Sequence, residues 1–240
     1  ILDGTPGGTN IAPLLGHASL RLWAMGSAKV TASDDDLERM REELDRSLIA
    51  GVWGMSLGLM YSPSELADHR ELSFLAIEVA RHGAFMSSHM RSYAAEELLE
   101  SVTEIANVVR DSGVGFEISH LRSLSDTNAR KMTEAIEFLD ATGLDIEADA
   151  YPYLAGQTTI LQLFPPEVRG LGTEAVLAYI AKDQEAAASA LDSGRLDGAA
   201  ITIAKTEVAG FTGFTMEELA RREGKHWTMV AIELIVQSHG

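Results

Sequence analysis

No cysteine occurs among the 240 residues. Disulfide frameworks and thiolate metal sites are therefore excluded within the chain, and the absence fits a reducing, cytoplasmic setting. Basic residues are scarce: 19 Lys and Arg stand against 36 Asp and Glu, a formal charge of -17. Such a surface repels a phosphate backbone, so nucleic acid is not expected as a partner. No run approaches the ~20 apolar residues that a membrane-spanning helix needs, so no membrane partner is expected either. Aromatic residues make up only 6%, yet hydrophobic residues together reach 46%, enough for a sizeable core. There is no serine-nucleophile elbow, no P-loop and no dinucleotide glycine fingerprint. Gly113-Val114-Gly115 leads into a strand pattern rather than a helix, so it does not supply the last of these. The first ten residues, from Ile1, do not read as a signal peptide.

What the chain has is a rhythm. Short apolar runs at 10–16, 52–59, 83–89, 114–120 and 144–153 alternate with amphipathic stretches. The later runs recur about every thirty residues, the length of one βα unit. Leu37, Met40, Leu44 and Leu48 share a helical face behind Ser33 and three aspartates, an N-cap with dipole-matched charge. Leu98, Val102, Ile105 and Val109 repeat the pattern up to Gly113, and Met132, Ile136 and Leu139 up to Gly143. Repeated βα units define an α/β protein with a parallel sheet, either doubly wound or closed into a TIM-like barrel. Periodicity alone does not separate these, but chemistry at several successive strand ends favours the barrel.

After Tyr153 the rhythm changes. Pro165-Pro166, an Ala-rich helical stretch over 181–191, a strand pattern at 199–203, and a Thr215 cap with Glu218 three residues on all read as an insertion. The expected organisation is a barrel part over 1–153, an insertion shaping a pocket over 154–225, and a return toward the barrel over 226–240.

Two segments carry the chemistry: Ser88-His89-Met90-Arg91 and Ser119-His120-Leu121-Arg122. Each histidine ends an apolar run. If the runs are neighbouring parallel strands, ~4.8 Å apart, both imidazoles reach the ligand-binding edge and could share a cation at roughly 2.0–2.1 Å. The bland alternative is a hydrogen-bonded structural histidine at each place. Arg91 and Arg122 could each form a two-point fork for a carboxylate, or simply be solvated. Tyr61 follows the second run, where its hydroxyl could donate to a carboxylate or its ring could cover the rim. Asp145, Glu147 and Asp149 alternate and so share a strand face, inward or exposed. Asp149 is the best placed of them to hydrogen-bond the histidines. His17 also ends an apolar run, though a structural role is favoured for it. His69, His82, His226 and His239 read as surface or packing residues.

Taken in order, Gly51 to Tyr61, Ser88 to Arg91, Ile118 to Arg122, and Asp149-Ala150-Tyr151-Pro152-Tyr153, joined by Leu15 to Arg21, resemble the N-acyl-D-amino-acid deacylases (D-aminoacylases) of the amidohydrolase superfamily. The resemblance runs through most of the chain and is weakest at 165–210. It implies a zinc-dependent (β/α)8 barrel, with one or two Zn2+ ions, that hydrolyses small N-acyl-D-amino acids to a carboxylate and a D-amino acid. His89 and His120 would match the metal-binding histidines of the fifth and sixth strands. Tyr61 and Arg122 would match residues that hold the substrate's α-carboxylate, with Arg91 and Tyr151 counted as further substrate contacts and Asp149 supporting the histidines.

Departures from the family pattern are equally specific. The first-strand His-x-His, the bridging ligand and the eighth-strand catalytic aspartate have no match here. The expectation is that the first two belong upstream of Ile1 and the aspartate beyond Gly240, the chain covering about strands three to seven. Arg122 stands where many members carry lysine, Tyr93 where they often carry an acid, and Pro63-Ser64 where they carry Pro-Gly. The alternatives are a cyclic-amide hydrolase of the hydantoinase or dihydroorotase kind and a non-catalytic fragment of such a barrel.

Overall fold

The computed structural model describes residues 9–26, 31–123, 129–165, 168, 172–191 and 198–239. The chain divides into two compact units, 1–152 and 153–240. In the first, strands β1 (Leu14–Gly16), β2 (Gly54–Gly58), β3 (Phe85–His89), β4 (Gly115–Ile118) and β5 (Ile146–Ala148) form one sheet in the order β1-β2-β3-β4-β5. Every pairing is parallel. Doubly wound sheets reverse their strand order at a switch point. These strands never do, and a strictly sequential parallel order is that of a barrel wall.

Helices α1 (His17–Met25), α2 (Asp34–Ile49), α3 (His69–Arg81), α4 (Leu98–Ser112) and α5 (Ala129–Thr142) connect the strands. Ser33 caps α2 by a full capping box with Asp36, beneath three first-turn aspartates. Gly113 ends α4 in the left-handed conformation that glycine adopts without a Cβ penalty. The expected stripes are buried: Leu37, Met40, Leu44 and Leu48 on α2, and Leu98, Val102, Ile105 and Val109 on α4. They share one core with Met55, Leu57, Met86, Phe116 and Ile118 from one face of the sheet.

Side chains alternate along a strand, so the other face is fixed by register. Across it run Ser56, Ser87, Glu117 and Glu147, paired in that order, with Gly58 opposite His89 one step further along. This face is polar. Its packing depends on one glycine: a Cβ at Gly54 would sit 1.9 Å from the Phe85 carbonyl oxygen.

The second unit is helical. Helices α6 (Thr173–Lys182), α7 (Gln184–Leu191), α8 (Met216–Glu223) and α9 (Trp227–Gln237) enclose Phe164, Val176, Ile180, Leu191, Leu219, Val230 and Ile235. The Ala-rich stretch is two helices, because Asp183 turns extended and its carboxylate accepts the Ala186 N–H. The run at 199–203 is not a strand. Gly198–Ala200 forms a 3-10 turn, and one antiparallel bridge, Thr202 to Thr215, follows. Pairing stops there because Thr215 is already the N-cap of α8. Among the described residues no helix is long and apolar enough to cross a membrane.

Candidate metal centre

His89 is the last residue of β3, and His120 lies in the turn just past β4, so parallel pairing brings both to one sheet edge. His89 Nδ1 and His120 Nε2 are 3.1 Å apart, with ring centroids at 4.7 Å. Two nitrogens bound tetrahedrally at 2.0–2.1 Å would stand about 3.3 Å apart. His120 has φ 44, a left-handed value uncommon for a residue with a side chain. Asp149 holds it there: its carboxylate accepts the His120 backbone N–H, and its backbone oxygen accepts the Leu121 N–H at 2.9 Å. The Asp149 carboxylate therefore bonds one of the two histidines, through its backbone rather than a ring nitrogen. It sets the backbone from which the ring projects.

Burial, then the nearby positive potential of His120 and Arg122, pushes the His89 pKa down to about 4. The ring is thus neutral at ordinary pH, the form with a lone pair for a metal. Among the described residues, the other ring nitrogens, His89 Nε2 and His120 Nδ1, are buried without a hydrogen-bond partner. Two imidazole nitrogens of adjacent strand ends facing each other at 3.1 Å are a donor set that fits a borderline divalent ion such as zinc.

Three aromatic rings and one guanidinium surround the pair. Gly58 lets Tyr61 approach, since a Cβ there would lie 3.2 Å from Tyr61 Cδ2, and the Tyr61 ring stands 4.8 Å from that of His89. Tyr93, fully buried, packs edge-on against His89 at 4.9 Å and tilted against His120 at 5.3 Å. Its hydroxyl accepts the Met90 N–H at 2.9 Å and donates to the Ser119 carbonyl at 3.0 Å. Burial pushes the phenol pKa up, so it remains protonated. Arg122 lies between two rings, its Cζ 5.3 Å from Tyr93 and 5.4 Å from Tyr151. Its Nε is buried with no partner among the described residues. A rigid cation sandwiched by aromatic faces suits planar, bidentate recognition of a carboxylate.

The remaining candidates fall elsewhere. Arg91 is engaged: it grips Glu104 with Nε and Nη2 at 2.8–3.2 Å and donates to the carbonyls of Glu65 at 2.7 Å and Ala67 at 3.0 Å. That makes it a clamp on the loop after β2 rather than an open fork. His17 is buried between Ser64 Oγ and Glu71 Oε1, each at 2.8 Å. Asp145 and Glu147 are exposed. Tyr93 was noticed only as a departure from the resemblance and not as a site residue, although it lies four residues after His89. Glu117 was missed too: its Oε2 accepts from Ser87 at 2.5 Å and Ser119 at 2.9 Å, just beneath the histidines. A separate Asp45, Glu78 and His82 cluster has ligand atoms within 4.8 Å of one another. There the carboxylate of Glu78 already faces Arg81 at 3.1 Å and Arg41 at 3.6 Å.

A sequential parallel α/β sheet with paired imidazoles just past its strand ends carries its reactive groups where parallel barrels carry their active sites. Curated proteins to which this chain is similar include a D-aminoacylase, an N-acyl-D-glutamate deacylase and an N-acyl-D-aspartate deacylase, and a solved N-acyl-D-glutamate deacylase superposes on it. An N-acyl-D-glutamate deacylase of Alcaligenes xylosoxydans xylosoxydans is 36% identical over 155 residues, 63% of this chain and 31% of that enzyme. A D-aminoacylase of the same organism is 29% identical over 163 residues, 67% of this chain and 34% of the enzyme. The crystal structure of the N-acyl-D-glutamate deacylase from Bordetella bronchiseptica, complexed with zinc and a phosphonate mimic of the tetrahedral intermediate, superposes with a TM-score of 0.78 at 26% identity, over 97% of this chain and 44% of that one. The chain thus spans about a third of the curated relatives it matches, 31% and 34% of their lengths. No family model matches it.

Proposed function

We infer that this chain is part of a zinc-dependent amidohydrolase that cleaves the linear amide of an N-acyl-D-amino acid, giving a carboxylate and a D-amino acid. The observation that carries the reading is the imidazole pair of His89 and His120, 3.1 Å apart, beside the aromatic-sandwiched Arg122. In this reading the five strands are about strands three to seven of the barrel, and 154–225 is an insertion shaping the pocket. The cytoplasmic setting belongs to the same reading.

His89 and His120 would hold the ion by Nδ1 and Nε2. An ion bound there would supply Lewis-acid polarisation of the scissile carbonyl and a water whose pKa lies near neutrality. Arg122 binds the substrate's α-carboxylate through its guanidinium fork, and the Tyr61 hydroxyl donates a further hydrogen bond to it. Holding the carboxylate at two points orients the amide over the imidazole pair, which converts binding energy into alignment. Tyr93 fills the space beneath both imidazoles and excludes water from it. Asp149, through the His120 backbone, fixes the direction in which that ring projects. The cyclic-amide alternative is not favoured: the relatives are named for N-acyl-D-amino acids, and a hydantoin offers Arg122 no carboxylate.

The test is turnover by the full-length protein of N-acetyl-D-methionine and N-acetyl-D-glutamate against a hydantoin. Release of a D-amino acid from the linear amides, with the hydantoin untouched, is expected. Ring opening of the hydantoin with inert linear amides would replace this reading by its rival.

A further inference from the structure

We propose that Arg21 and Arg91 are positioning residues that grip the loop between β2 and α3 from two sides and so fix Tyr61 against His89. The role rests on the reading of Tyr61 as a carboxylate contact. The loop has little regular structure: the Tyr61 N–H reaches back to Gly58 O, and the Glu65 N–H to Tyr61 O, each at 2.9 Å. Its later carbonyls point at cations. Arg21 donates to Pro63 O at 3.1 Å, and Arg91 to Glu65 O at 2.7 Å and Ala67 O at 3.0 Å.

Each cation is itself anchored. Arg21, 1% exposed, donates to Glu71 Oε1 at 2.8 Å. The same oxygen takes His17 Nε2 at 2.8 Å, and His17 Nδ1 meets Ser64 Oγ, also in the loop. Since the Glu71 carboxylate only accepts, His17 Nε2 carries a proton. Arg91 is anchored by Glu104 of α4. Replacing a buried ion pair such as Arg21–Glu71 with well-packed apolar residues is often neutral or stabilising, so stability alone does not account for it. What a network of fixed donors does supply is one loop geometry, and the residue that geometry presents to the imidazoles is Tyr61.

The experiment is a double-mutant cycle in the full-length enzyme with Arg91→Met, Tyr61→Phe and both together, with Arg91→Lys replacing Arg91→Met if that variant does not fold. Arg21→Met serves as the companion for the other side. Arg91→Met should raise KM about tenfold, equivalent to ~1.4 kcal/mol, with kcat changed far less and metal content unchanged. Adding Tyr61→Phe should then do little more, because a misplaced hydroxyl has nothing left to lose. A crystal structure of the Arg91 variant reads the same claim without substrate: the Tyr61 ring should leave its 4.8 Å position beside His89. Full additivity, with Tyr61 still in place, overturns the clamp and leaves the functional reading standing. A silent Tyr61→Phe, or an enzyme without deacylase turnover, overturns the carboxylate role instead, and the variant structure then decides the clamp alone.

Discussion

His89 Nδ1 and His120 Nε2 lie 3.1 Å apart although 31 positions separate the two residues in the chain. Parallel pairing of β3 and β4 creates that proximity, and the left-handed turn at His120 completes it. If the pair holds an ion, neither ring is dispensable. His120→Ala in the full-length protein should lose bound metal and reduce deacylation below detection, with His89→Ala behaving alike. Metal stoichiometry by elemental analysis, alongside kcat/KM, checks both; a fully metallated, active His120→Ala protein removes that residue from the ligand set.

Asp149 acts on the same turn from just past β5. Removing its carboxylate frees the His120 N–H and lets the left-handed backbone relax. Outer partners of this kind typically alter metal affinity by roughly 10–100-fold. Asp149→Ala should therefore weaken zinc binding to that degree with an unchanged far-UV circular dichroism spectrum, as competitive chelator titration would show. Unaltered affinity would mean that the turn holds itself.

Much of this was legible in the sequence, and the parts that were not share a cause. Elements specified by neighbours in the chain read correctly: the Ser33 N-cap, the Thr215 capping box, the Gly113 terminus of α4, and His89 at the end of its strand. Whether the sheet is doubly wound or barrel-like could not be read from period, since both give βα units; the sequential strand order is consistent with part of a barrel. Arg91 looked like an open fork because nothing local shows that Glu104, thirteen positions on, will turn back to meet it. Tyr93 was noticed as a departure from the resemblance but not as a site residue, because its partners, Ser119 and Arg122, come from the next βα unit. The apolar 199–203 run misled because strand propensity counts only with a partner to pair, and Thr215 had begun a helix.

Tyr93 offers a stability test. Its hydroxyl satisfies the Met90 N–H and the Ser119 carbonyl in a buried setting. Tyr93→Phe keeps the ring beneath Arg122 but leaves both groups without that partner, an effect of about 1–3 kcal/mol. Urea denaturation should show a lower midpoint with an unchanged m-value. KM should move little, because the face that carries Arg122 is retained.

The buried Glu71 makes a pH prediction. Burial by itself raises its carboxyl pKa, but the hydrogen bonds from His17 and Arg21 outweigh that and hold it below the ordinary 4.5. The folded protein thus binds this proton less readily than the unfolded chain. The stabilisation is whole above about pH 4.5 and drains away as pH falls through the lower folded-state value. Glu71→Gln, which removes the carboxylate charge facing the buried Arg21 cation, should destabilise the protein by about 3–5 kcal/mol at neutral pH. Thermal unfolding across pH should show that gap narrowing only on the acid side; a constant gap down to the acid limit would contradict the assigned ionisation.

The most direct measurement is a zinc-edge anomalous difference map of the full-length protein crystallised with zinc. The account predicts a peak at roughly 2.0–2.1 Å from both His89 Nδ1 and His120 Nε2, with Arg122 facing the open side. A map with no peak between the two rings, or with its peak at Asp45, Glu78 and His82, would contradict it.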